Sequence, residues 1–252
     1  MQMQLSETPT MTTPIITKKP VADRGEGGQK QQRPIAALII FSVLFYAVWV
    51  LFELGVKPYL NSLDADPVPM QFLKSGVIKN LCWTLPALLL VKKYDRQVHI
   101  PLKEMFTAEF DGRIALWVFG ACTAVVLIPK IFLHGSFELN PEFRAVTLIG
   151  YLFVGITEES VFRGWLLNAM AGRDDSPKSK WTALIISSVM FMFIHFPTWY
   201  TSGVLSSNIL TGRGFGIIPI GIVFGWLFLH TKNLMLVVML HMYYDVLISL
   251  FV

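Results

Sequence analysis

Seven side chains in this chain have the types and spacings for chemistry, and six of them can ionise or form ion pairs. Glu158, Glu159 and Arg163 stand in the run Glu158-Glu159-Ser160-Val161-Phe162-Arg163. Phe191 precedes His195 by four residues, and His241 precedes Asp245 by four. All three groups interrupt apolar stretches. On insertion scales an ionisable side chain inside a membrane helix costs about 2.5–3.5 kcal/mol, so each needs a reason to be there. Adjacent residues on a helix point about 100° apart, so Glu158 and Glu159 cannot share one partner equally. Arg163 lies four residues after Glu159, the spacing that favours an ion pair. Glu158 is then left facing elsewhere, without a cation in its own helix. A desolvated carboxylate of that kind is a candidate base. Phe191 and His195 share a helix face, as do His241 and Asp245. An imidazole with a carboxylate one turn away can be an oriented catalytic group, a metal ligand pair or a structural hydrogen bond.

The elements that must carry these residues follow from the composition. Of 252 residues, 54% are apolar and only 15% charged, against about 45–50% and about 25% in globular domains. Mean hydropathy is +0.55. Eighteen Gly, 14 Pro and 2 Cys exclude a collagen-like or disulfide-built chain. The expected class is all-α, a polytopic transmembrane bundle of about seven helices. The apolar runs are Ile35 to Leu54, Gly76 to Val91, Ile114 to Phe132, Val146 to Met170, Trp181 to Phe196, Ile217 to His230 and Leu234 to Val252. A bilayer core of about 30 Å needs about 20 helical residues. The runs are too long for strands and show no period-2 alternation. Three segments are expected: a disordered cytoplasmic tail at 1–33, N-terminal membrane helices at 34–144, and a catalytic core at 145–252.

The net charge is +4 and the sequence pI about 9.0. The basic residues lie between apolar runs, which points to membrane orientation and to no nucleic-acid partner. With the N-terminus in the cytoplasm, 14 Lys and Arg fall on the inner side and 6 on the outer, Arg163 being intramembrane. Lys57, Lys74 and Lys79 are assigned to the outer connections in that count. Cys82 and Cys122 read as buried apolar filler. Gly221 and Gly225 form a small-xxx-small face for close helix packing. His99, His134 and His230 fall in a loop or at helix ends, where water reaches them.

At 1.5 Å per residue, Glu158, His195, His241 and Asp245 come out roughly 11–21 Å from the cytoplasmic helix ends. They can converge in one intramembrane site.

These motifs, in this order on successive helices, resemble the three signatures of the CPBP (Abi) family, the membrane CAAX proteases and bacteriocin-processing or immunity enzymes. Gly221-x3-Gly225-Trp226 and Thr231-Lys232-Asn233-Leu234 are similar to the run between its second and third motifs. The resemblance spans about Val146 to Val252, an Abi-type core in the last four helices. It implies an intramembrane endopeptidase acting on a membrane-associated or lipidated protein or peptide, in contact with membrane lipid. Carried over, Glu158 and His195 activate water, and His241 and Asp245 stabilise the oxyanion or fix the site. Glu159, Arg163 and Phe191 support them. The CAAX endoprotease subgroup usually has Asn where this chain has Asp245, so Asp245 either donates when protonated or orients His241. The expected site is metal-free, and zinc on His195, His241 and Glu158 is the alternative. A different class remains open: a non-proteolytic immunity or scaffold protein, or a proton-coupled carrier using the same Glu/His cluster.

Overall fold

The structure is a computed structural model that describes residues 33–135 and 138–251. The expected 1–33 tail lies, but for Arg33, outside the described residues. Helices dominate. The one β feature among the described residues is an isolated bridge between Leu139 and Phe251. Eight helical elements carry the argument. They are α1 (Ile35–Ser62), α2 (67–93), α3 (Gly112–His134), α4 (147–171), α5 (Pro177–Phe193), α6 (Phe196–Thr201), α7 (Ile217–Thr231) and α8 (Leu234–Leu250). Shorter helices at Leu102–Thr107 and Leu205–Leu210 join them.

Among the described residues, four helices are long and apolar enough to cross a membrane: Ile35–Ser62, Gly112–Phe132, Pro177–Thr201 and Arg213–Thr231. Leu234–Leu250 is apolar but shorter. The helix α4 occupies the expected fourth run, yet its own Glu158, Glu159 and Arg163 make it too charged for that class. Large apolar side chains such as Leu116, Trp117 and Phe132 point outward and are exposed. An apolar exterior around a polar interior is the arrangement of a helical membrane bundle.

Several local features depart from the sequence expectation. Helix α2 starts at residue 67 rather than 76, because Asp66 caps its first turn by accepting from Val68 N–H. Lys79, expected in an outer connection, is buried on α2 beside Glu53. Both α1 and α2 contain stretches of wider i→i+5 helix, at Phe52–Val56, Phe72–Ile78 and Asn80–Thr84. The helix expected at 181–196 ends at Phe193 and restarts at Phe196. Pro197 explains the break, since it has no N–H for the carbonyl of Phe193. Cys82 and Cys122 are free thiols, and Cys82 is exposed rather than buried. An apolar residue on a membrane helix is as well placed outward as inward.

Helix α7 packs along α5, α8 lies against α3 and α4, and α2 lies against α4. Glycines set two of these approaches. A Cβ on Gly221 would lie 3.0 Å from the Ser188 side chain, and one on Gly225 2.7 Å from Leu184. At Gly155 a Cβ would lie 2.9 Å from Met242 Cγ and 3.3 Å from the Val238 carbonyl oxygen. That contact brings α4 and α8 together one turn before Glu158 and Glu159.

Candidate active site

Helix α4 turns from ordinary helix into i→i+5 helix at Ser160, directly after the two glutamates. Such insertions are frequent at functional sites. Every residue from Thr157 to Ala169 is buried. Glu159 is 0% exposed, Arg163 1% and Glu158 6%. Arg163 Nη1 donates to Glu159 Oε1 at 2.9 Å. Its Nη2 donates to the Gly221 carbonyl at 3.2 Å. The guanidinium also lies over the rings of Phe191, at 4.5 Å, and Phe224, at 5.6 Å. Arg163 thus ties α4 to α5 and α7.

Glu159 has a second partner. His241 Nδ1 lies 2.6 Å from Glu159 Oε1, so the imidazole N–H donates to the carboxylate. With Nδ1 so engaged, Nε2 points away, 3.7 Å from Glu158 Oε2 and 3.7 Å from Asp245 Oδ2. Both distances are too long for a direct hydrogen bond. The group that orients His241 is therefore Glu159. Asp245 lies at the other side of the ring, partly accessible, with a 17% exposed side chain.

His195 sits at the gap between α5 and α6. Its backbone N–H reaches back to Met192 O at 3.1 Å, one residue short of the regular helical partner. Its Nδ1 lies 3.0 Å from the Phe191 carbonyl oxygen. A carbonyl can only accept, so Nδ1 carries the proton and Nε2 is left as the free ring nitrogen. Phe191 stands between the two imidazoles, its ring 5.3 Å from that of His195 and 5.9 Å from that of His241. The sequence motifs on α4, α5 and α8 therefore meet around one aromatic ring.

Glu158 differs from its neighbour. Among the described residues it accepts no hydrogen bond, and its close polar neighbour is His241 Nε2. Thr157, beside Glu158, meets Thr84 of α2 at 3.3 Å. Among the described residues no three His, Cys, Asp or Glu side chains gather as metal ligands. The Nδ1 hydrogen bonds of His195 and His241 leave Nε2 of each ring free, as in a histidine that ligates zinc, so they do not decide between the metal-free site and the zinc set His195, His241 and Glu158.

Residues 140–247 match the family described as type II CAAX prenyl endopeptidase Rce1-like. The matched segment, less than half of the chain, is similar to the domain of that family. This agrees with the CPBP resemblance of the motifs and, at the level of the family, supports a CAAX-type intramembrane protease. The description of that family names a CAAX prenyl endopeptidase for its own members. No curated protein and no solved structure gives a significant match to the chain.

Sequence reasoning missed several residues around the domain. Gly155 carries no chemical signal, and its role appears only where α4 meets α8. Phe224 looked like one more apolar residue. Glu53 and Lys79, from α1 and α2, stand outside the matched region. Glu53 holds Lys57 at 2.6 Å and Lys79 at 3.2 Å and accepts from Thr198 Oγ1 at 3.2 Å. The signal available was Lys79 itself, a cation in an apolar run.

Proposed function

We propose that the chain is an intramembrane endopeptidase of CAAX type that hydrolyses a peptide bond with a water activated by Glu158 and His195. The observation that carries this reading is the contrast between the glutamates. Glu159 is anchored through Oε1 by Arg163 and His241, while its buried Oε2 has no hydrogen-bond partner among the described residues. Glu158 is buried beside it with no hydrogen bond among the described residues. A carboxylate kept free in a desolvated site can take the proton of an attacking water. His195, with Nδ1 committed to the Phe191 carbonyl, offers the Nε2 lone pair to the same water.

In the reaction the water oxygen bonds to the scissile carbonyl carbon, and its proton passes to Glu158 or His195. The carbonyl oxygen becomes an oxyanion. His241 is anchored at Nδ1 and, when protonated on both nitrogens, presents Nε2–H to that charge. The proton held by Glu158 or His195 then goes to the leaving amine as the C–N bond breaks. Asp245 balances the charged imidazole from 3.7 Å. Glu159 and Arg163 hold the frame. No step requires a metal. The N-terminus faces the cytoplasm in this reading, on the count of basic residues in the connections.

The test is cleavage of prenylated C-terminal peptides by purified protein in detergent, with and without a chelator. Wild type cleaves and Glu158→Gln does not, while both show the same thermal midpoint. Chelator leaves the wild-type rate unchanged. Full activity in Glu158→Gln would remove Glu158 from the mechanism, and loss of wild-type activity with chelator would return zinc to the site.

A further inference from the structure

His195 is usable only because the chain departs from helix at that residue. In an unbroken helix the Phe191 carbonyl would bond the backbone N–H of residue 195. Here that N–H goes to Met192 instead, and Phe191 O accepts from the imidazole Nδ1. The break therefore selects the ring tautomer and the direction of Nε2. Pro197 makes a break favourable but does not fix its geometry.

Helix α1 supplies what grips it. Three polar groups on one face, at 46, 49 and 53, reach three successive turns across the gap, at 190, 194 and 198. The Tyr46 hydroxyl donates to the Met190 carbonyl at 2.6 Å. The Trp49 indole N–H donates to the Ile194 carbonyl, the residue next to His195, at 2.9 Å. Glu53 accepts from the Thr198 hydroxyl at 3.2 Å. Residues three and seven apart on a helix lie on one side, so this is one continuous edge. Trp49 and Glu53 are buried. Trp49 is itself packed under the Lys79 ammonium, 4.4 Å from its ring, and Lys79 is paired to Glu53. The edge is therefore held from behind by α2.

We propose that α1 is the positioning element for His195, with Tyr46, Trp49 and Glu53 holding the α5–α6 break in the shape that fixes the imidazole. The proposal uses the reading above for what His195 does, and the hydrogen bonds alone for how it is held. It places a part of the working site outside residues 140–247, in a region whose apolar sequence gives no motif.

Trp49→Phe tests it, since it keeps a buried aromatic ring and removes the N–H. Thr198→Val, which keeps the shape and removes the hydroxyl, is the second variant. Two readouts are needed. In histidine-15N NMR of the detergent-solubilised protein, wild type shows His195 as a single Nδ1–H tautomer, with the resonance assigned by its loss in His195→Gln. Trp49→Phe shows a mixture of tautomers. In peptide cleavage, Trp49→Phe lowers kcat about tenfold, within the range for a misplaced catalytic group, and changes KM less than about twofold. Thr198→Val gives a smaller change of the same kind. Unaltered His195 resonances in both folded variants would overturn the proposal, whatever the activity. Altered resonances in a protein whose wild type cleaves nothing would keep the brace and remove the protease reading.

Discussion

Among the described residues the bundle buries charge in two places, and the two are built in opposite ways. On α4 and α8 three carboxylates, Glu158, Glu159 and Asp245, gather around one guanidinium and the His241 imidazole. On α1 and α2 one carboxylate, Glu53, is shared by Lys57, Lys79 and Thr198. Both carboxylate oxygens of Glu53 accept hydrogen bonds. Those of Glu158 accept none among the described residues. A saturated carboxylate in an apolar interior gives rigidity and has nothing left for a substrate. An unsaturated one is destabilising in the resting protein and is worth keeping only for what it does. The difference separates a brace from a reactive group more clearly than burial does, since both residues are buried.

The comparison can be broken most directly with paired isosteric changes. Glu158→Gln is expected to lower the cleavage rate by about 10²–10⁴-fold, the range of a general base, with little change in thermal midpoint. Glu53→Gln is expected to do the reverse in kind. It leaves the buried Lys79 ammonium, and the partly exposed Lys57, with a neutral partner, and breaking a buried pair in soluble proteins costs about 3–5 kcal/mol. Thermal unfolding in detergent, read beside the rate, separates them. A stability loss in Glu158→Gln equal to that in Glu53→Gln would erase the distinction.

Arg163→Ala sharpens the same contrast inside the site. It strips Glu159 of its cation and Gly221 of its donor, and a loss of about 3–5 kcal/mol is expected. The double variant Glu159→Gln/Arg163→Ala should be less destabilised than the sum of the two single changes, because the partners fail together. Additive losses would show that Glu159 is held mainly by His241. A smaller effect is expected at Gly155. An added Cβ meets Met242 and the Val238 carbonyl, and the carbonyl belongs to a helix that cannot shift alone. Gly155→Ala should lose about 1–3 kcal/mol through overpacking, and should slow cleavage by moving Glu158 from His241. Gly225→Ala meets only the ends of Leu184 and Leu167 side chains and should be better tolerated.

Much of the site was legible in the sequence because ionisable residues in apolar helices are conspicuous. The Glu159–Arg163 pair followed from spacing alone, and Glu158 was correctly separated from it by the 100° turn between neighbours. What the sequence could not show is which group crosses between helices. His241 has a carboxylate one turn away at Asp245, yet its hydrogen bond goes to Glu159, 82 positions earlier. The helix break at His195 was equally hidden. Pro197 lay just past the expected end of that run, and only the backbone trace shows that His195 sits in the gap. Lys79, counted with the outer connections from the sequence, is a further departure. It is buried because Glu53 and the Trp49 ring receive it.

The seam between the two regions provides the smallest and most specific prediction. The loop after α2 docks on the end of α4. His99 N–H donates to the Asn168 carbonyl at 3.0 Å, Ile100 N–H to Asn168 Oδ1 at 2.7 Å, and Asn168 Nδ2 back to Ile100 O at 2.8 Å. His99 Nδ1 meets the Gly172 carbonyl at 3.0 Å. Partial burial, and next the nearby Lys180 cation, hold the His99 imidazole below its ordinary value, against the Gly172 hydrogen bond and Asp175. The folded protein therefore binds the proton less readily than the unfolded chain. Between the folded value and the ordinary value near 6.5, unfolding takes up protons, so stability rises with pH and is lost as pH falls through that window. Asp174 and Asp175 stay ionised there, because hydrogen bonds from Ser176 and Lys180 respectively lead the causes that lower them. The thermal midpoint in detergent should fall as pH drops below about 6.5, and His99→Asn should flatten that fall at a cost of about 1 kcal/mol near neutral pH, the worth of one hydrogen bond. An unchanged pH slope in His99→Asn would place the acid-sensitive contact elsewhere, on the buried carboxylates of the site rather than at the seam.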